Sequence, residues 1–85
     1  MNAKKPNQVR AQAVRFVGTV LRVELSDGRE IRLPLSDVPW LKWLAKATAR
    51  QRAHWSLEPS GYAIYWKDLD DGIEVCHLLD MQPIV

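Results

Sequence analysis

Leu21-Arg22-Val23-Glu24-Leu25-Ser26-Asp27-Gly28-Arg29-Glu30-Ile31-Arg32-Leu33-Pro34-Leu35 is the stretch that decides the fold. Leu21, Val23 and Leu25 alternate with Arg22 and Glu24, the period of a strand buried on one face. Ile31, Leu33 and Leu35 repeat that pattern after the Asp-Gly pair, with Glu30 and Arg32 turned outward. Asp-Gly between two such runs predicts a β-hairpin closed by a type I′ turn, with Asp27 and Gly28 both at positive φ. The outward residues Arg22, Glu24, Glu30 and Arg32 are close to neutral together and predict ion pairing across the strands.

Upstream, Val14 and Phe16 flank Arg15 in a short strand that ends near Gly18. Residues 1–12 carry Lys4, Lys5, Pro6 and Arg10 with little to bury, and are expected to be a disordered basic tail. Downstream, Ser36 reads as an N-cap, Asp37 suits the positive end of a helix dipole, and Pro39 fits a first turn. Val38, Leu41 and Leu44 recur at helical spacing, with Trp40, Trp43 and Ala47 on an adjoining stripe, predicting a helix over 37–46. Thr48 and Gln51 have the spacing of a capping box and open a second helix over 49–54. Trp55 and Leu57, a Pro59-Ser60-Gly61 turn, then Ile64 and Trp66 on one face and Ala63 and Tyr65 on the other make a second hairpin. Ile73 and Val75 suggest a strand near 73–75 followed by one turn. The order is β-β-β-α-α-β-β-β. It predicts a single α+β domain over 13–85, an antiparallel sheet of hairpins with two short helices packed on one face.

At 85 residues the chain has room for one small core. Its 47% hydrophobic and 26% charged content is that of a globular protein. No apolar run approaches the roughly 20 residues of a membrane span, and residues 1–13 lack a secretory core, so a cytoplasmic protein without membrane contact is expected. Cys76 is the single cysteine, which excludes an internal disulfide and a cysteine-rich zinc site. Residues 1–52 hold eleven Lys/Arg against four acids, whereas 53–85 hold Lys67 alone against six acids. If the two halves interleave in the fold, these charges mix; if not, the protein has a basic side and an acidic side.

The hairpin Leu21–Arg29 leads into Pro34-Leu35 and a Pro39-Trp40-Leu41 helix. Then come Ala47-Thr48-Ala49-Arg50-Gln51-Arg52, Gly61-Tyr62-Ala63-Ile64-Tyr65-Trp66 and Leu69-Asp70-Asp71-Gly72-Ile73-Glu74-Val75. In order and spacing, from about Val14 to Leu79, this resembles the small bacterial family known as domain of unknown function 2442. Two positions depart from the family's pattern. Lys67 follows Trp66 where proline is frequent, and the acidic triplet after Leu69 ends in Gly72. The resemblance implies no catalytic residues. It implies a domain found alone, joined to a helix-turn-helix, or beside a second small protein in toxin–antitoxin-like pairs. This chain is expected to be the stand-alone form.

The residues themselves offer little for catalysis. His54, Cys76 and His77 are the soft ligands, but a strand through 76–77 would turn Cys76 and His77 to opposite sides, and Cys76 reads as a core residue. Asp68, Asp70 and Asp71 read as a solvated turn. No Gly-rich phosphate loop or nucleophile elbow is present. A non-enzymatic protein with no cofactor and no metal is therefore expected. Four tryptophans point elsewhere: Trp55 and Trp66 fall on inward strand positions, whereas Trp40 and Trp43 widen the apolar arc of their helix into a candidate protein interface. The first functional expectation is an interaction module for another small protein, antitoxin-like or regulatory, with self-association through sheet edges compatible with it. The alternative is a nucleic-acid-associated protein using Lys4, Lys5, Arg10, Lys42, Lys46, Arg50 and Arg52.

Overall fold

Strands β1 (Ala11–Val17), β2 (Val20–Leu25) and β3 (Glu30–Pro34) form an antiparallel meander in that spatial order. The computed structural model describes residues 9–58 and 60–81. Leu21 faces Leu33 and Val23 faces Ile31 across the hairpin, and all four side chains are buried. The connection differs from the expected type I′ turn. Gly28 alone takes a positive φ, of 92°, and its N–H donates to the Leu25 carbonyl while Leu25 N–H donates to Arg29. This is a longer loop with glycine in the left-handed position, where a type I turn meets the returning strand. Asp27 supports it from the side, accepting from the Arg29 backbone N–H at 3.0 Å and from Arg29 Nε at 2.7 Å.

On the outer face, like charges stand directly opposite: Arg22 faces Arg32, and Glu24 faces Glu30. Ion pairing is nonetheless achieved, along the diagonals between strands and along β3 itself. Glu30 Oε1 accepts from Arg22 Nη2 and Arg32 Nε, each at 2.9 Å, and Arg15 reaches Glu24 at 3.4 Å. Hydrogen bonds from Arg22 and then Arg32 hold the Glu30 carboxyl below its ordinary value of 4.5. A carboxylate lowered in the folded state stabilises it above the unfolded value, and that contribution is lost as pH falls through the folded value. The wild type is therefore expected to lose stability below about pH 4.5 more steeply than Glu30→Gln. Urea midpoints measured from about pH 6 down to about pH 3 check this, and parallel profiles would count against it.

After β3 the chain runs through 3-10 turns at Leu35–Asp37 and Pro39–Leu41 before α1 (Lys42–Ala45). The continuous helix over 37–46 is thus corrected. Val38 precedes proline, which disfavours the helical region, and it is extended at φ −120°, ψ 97°. Ser36 caps nothing; it lies inside the first 3-10 turn, which has no side-chain cap. The second helix, α2 (Ala49–Ala53), has its capping box: Thr48 Oγ1 accepts from Gln51 N–H at 3.1 Å and Gln51 Oε1 from Thr48 N–H at 2.9 Å.

Strands β4 (Trp55–Glu58), β5 (Ala63–Trp66) and β6 (Asp71–Glu74) make a second three-stranded meander. The last strand is earlier than the expected 73–75, and a third helix, α3 (Val75–Met81), follows it. The protein is α+β in the expected order, with its strands divided between two sheets. One core joins them. Trp66 of β5 is fully buried, with the rings of Phe16 and Trp43 edge-on at 6.4 and 5.7 Å, and its Nε1 donates to the Arg52 carbonyl at 2.9 Å. A backbone hydrogen bond from Ala11 N–H to Gly61 ties the first sheet to the second at 2.7 Å.

That contact also corrects the domain's start. Val9 and Ala11 are buried, and Arg10 exchanges hydrogen bonds with Ser26, so residues 9–12 belong to the fold rather than to a tail. Lys4 and Lys5 lie outside the described residues. The strands of the two halves of the chain do not interleave: residues 11–34 supply one sheet and residues 55–74 the other.

Candidate functional site

The turn–helix segment 35–46 buries Leu35, Leu41 and Leu44 and leaves its other side to solvent. It separates the two tryptophans predicted to act together. Trp43 is half-buried and packs edge-on against Trp66, so its ring is a wall of the core. Trp40 follows Pro39 in the second 3-10 turn and is 43% exposed, unusually open for so large an apolar side chain. Along the same segment lies a depression of about 430 Å³ lined by Leu35, Ser36, Val38, Pro39, Lys42, Ala45 and Lys46. Lys42 and Lys46 are one helical turn apart and exposed, and among the described residues neither forms an ion pair with an acid. The result is an apolar floor with two free ammonium groups at its rim and an exposed indole next to it in sequence.

The predicted basic set does not converge. Arg52 is half-buried, its Nε and Nη2 donating to the carbonyls of Leu44 and Ala45 at 3.1 and 2.6 Å, with its guanidinium 5.8 Å from the Phe16 ring centre. It closes the C-terminal end of α1 and is not free for phosphate. Arg10 lies over the Tyr62 ring at 5.7 Å, at the junction of the two sheets. Arg50 remains exposed on α2. A second depression, of about 550 Å³, runs between β1 and α2 past Phe16, Gly18, Ala49 and Trp55, with Arg15 and Arg52 in its lining.

The acidic stretch does not converge either. Asp68 pairs with His54 Nδ1 at 2.8 Å, Asp70 accepts from the Tyr65 hydroxyl at 2.8 Å, and Asp71 accepts from the Gly72 N–H. The bond to Asp70 raises the Tyr65 hydroxyl above its ordinary pKa. Asp70 itself turns the chain in the left-handed conformation at φ 49°. Gly72 has a steric reason: a Cβ there would stand 2.6 Å from the Ile64 carbonyl oxygen.

Sequence reasoning missed the surroundings of Cys76. It is exposed, not a core residue. It lies in α3 rather than a strand, so Cys76 and His77 share the solvent side with Glu74 while Val75 and Leu78 turn inward. The helical spacing of Val75, Leu78 and Leu79 was the signal for this.

The sequence from residue 11 to residue 81 matches the model of the family described as protein of unknown function DUF2442. The chain belongs to this family. A crystal structure of a protein of unknown function from Rhodospirillum rubrum ATCC 11170 is similar to this DUF2442 chain at 22% identity and a TM-score of 0.70. The likeness, which covers 85% of this chain and 86% of that one, is one of fold. No curated protein matches the sequence significantly. Among the described residues of this DUF2442 domain, no helix is long and apolar enough to cross a membrane.

Proposed function

We propose that this DUF2442 domain is a non-enzymatic interaction module, the antitoxin-like or regulatory member of a two-protein system. It docks a small partner that presents an apolar side chain flanked by carboxylates. The observation that carries the reading is the apolar depression rimmed by Lys42 and Lys46, with Trp40 exposed beside it in the chain. An exposed indole supplies large contact area at small conformational cost, and unpaired lysines at the rim favour acidic neighbours and faster encounter. Nucleic acid is the weaker occupant, because Arg52 is engaged with backbone carbonyls and Arg10 with Tyr62.

The test places a photo-crosslinking amino acid at position 40 in the source organism, with position 62 as control. Any protein crosslinked is then purified and titrated calorimetrically. A small acidic protein caught from position 40 and not from 62, losing at least about tenfold affinity with Trp40→Ala and with Lys42→Glu/Lys46→Glu, is the expected result. Because Trp40 is a surface residue, its replacement should shift unfolding free energy by no more than about 0.5 kcal/mol. Crosslinks only to nucleic acid, only to a second copy of this chain, or to nothing would overturn the proposal. So would an affinity unchanged by these substitutions.

A further inference from the structure

Glu74, Cys76 and His77 bring a carboxylate, a thiol and an imidazole together on one exposed patch, their candidate ligand atoms all within 4.8 Å of one another. The junction of β6 and α3 creates the patch. Glu74 is the last strand residue, and the helix that starts at Val75 sets His77 one turn above Glu74, with Nε2 and Oε1 3.5 Å apart. Val75 and Leu78 are buried, so the same turn that anchors α3 pushes Cys76 and His77 outward. Cysteine is among the residue types most often buried, and an exposed thiol gains nothing from packing here. Neither Cys76 nor the exposed His77 side chain has a structural task in the core.

We infer that Glu74, Cys76 and His77 form a three-ligand site for a divalent ion of the zinc class. One thiolate, one imidazole and one carboxylate are donors that Zn²⁺ takes, and hard oxygen-seeking ions such as Mg²⁺ and Ca²⁺ do not select a thiolate. Metal–ligand distances of about 2.0–2.3 Å put ligand atoms of a tetrahedral ion roughly 3.3–3.7 Å apart. Glu74 Oε1 and His77 Nε2 already stand at that spacing, and the remaining separations, at most 4.8 Å, must close by about 1 Å or less through rotation of exposed side chains. Three protein ligands leave a fourth position open to water or to a donor from another molecule. Binding releases the thiol proton and so tightens as pH rises.

The test uses tag-free, reduced full-length protein titrated with Co²⁺, the visible and near-ultraviolet thiolate-to-cobalt bands reporting coordination, followed by displacement with Zn²⁺. The expected result is one Co²⁺ per chain. Cys76→Ser should abolish the charge-transfer band, and His77→Gln and Glu74→Gln should each weaken binding by at least about ten- to hundredfold, as even loss of an outer-shell partner commonly does. His54→Gln should leave it unchanged. All four are surface positions, so circular dichroism should show the fold intact. Three results would overturn the inference. They are the absence of a charge-transfer band, a stoichiometry of one ion per two chains bridged by Cys76 alone, and affinity unaffected by replacing His77 and Glu74.

Discussion

Trp66→Ala is expected to cost about 3–5 kcal/mol, enough to unfold most of the population of a domain this small. Trp66 is the largest fully buried side chain. It touches both sheets and the helical segment: Phe16 on β1, Trp43 on α1, and the carbonyl of Arg52 at the end of α2. Truncation leaves a cavity that elements from three places would have to collapse to fill, and it orphans the hydrogen bond to Arg52. Trp66→Phe keeps an aromatic ring and loses the N–H, so it should cost about 1–2 kcal/mol. Urea unfolding followed by far-ultraviolet circular dichroism measures both. A loss below about 1.5 kcal/mol for the alanine variant would show that the two sheets are stable without their shared tryptophan.

Gly61→Ala is the second large effect, and Gly28→Ala is its control. Both glycines have nearly the same positive φ, 90° and 92°, so both substitutions carry a left-handed penalty of about 1–2 kcal/mol. Their surroundings differ. A Cβ at Gly28 meets nothing within 4 Å, whereas at Gly61 it would stand 2.6 Å from the Ala11 carbonyl oxygen. Relieving that overlap separates β1 from the 60–62 turn and stretches the hydrogen bond from Ala11 to Gly61, adding about 1 kcal/mol or more. Gly61→Ala is thus expected to unfold at clearly lower urea than Gly28→Ala. Equal midpoints would mean that the junction between the sheets yields without cost.

The contrast between these two glycines shows what the sequence made legible. Gly28 announced itself through the Asp-Gly pair and the flanking alternation, although its loop was longer than a two-residue turn. The close approach at Gly61 is a long-range fact, because its partner Ala11 is fifty residues away. The same division runs through the rest. The capping box at Thr48 and Gln51 is local and was readable. The helix at 37–46 failed at Val38, where the following proline outweighed apolar spacing. Val9 and Ala11 were lost to a polar context and to the shift of register between Ala11 and Ala13, which interrupts the alternation. For the sites, the sequence paired Trp40 with Trp43 on one apolar arc, whereas Trp40 is exposed and Trp43 packs on Trp66. Arg52 needed the structure, because nothing local says that its guanidinium turns back onto Leu44 and Ala45. Cys76 and His77 were misread because a strand and a helix place neighbouring side chains on different faces.

Each sheet is drawn from one continuous stretch of chain, and this has a consequence for the order in which the protein is made. During synthesis β1, β2 and β3 can pair as soon as residue 34 has emerged, since every contact among them is between neighbours in sequence. The helical segment comes next, but the ring of Trp43 gains its edge-on partner only when Trp66 of the second sheet has emerged. Between those two moments the growing chain carries a finished first sheet and an uncovered aromatic face. A ribosome stalled in that interval would display a surface for chaperones or for a waiting partner, and the emergence of β5 with Trp66 would withdraw it.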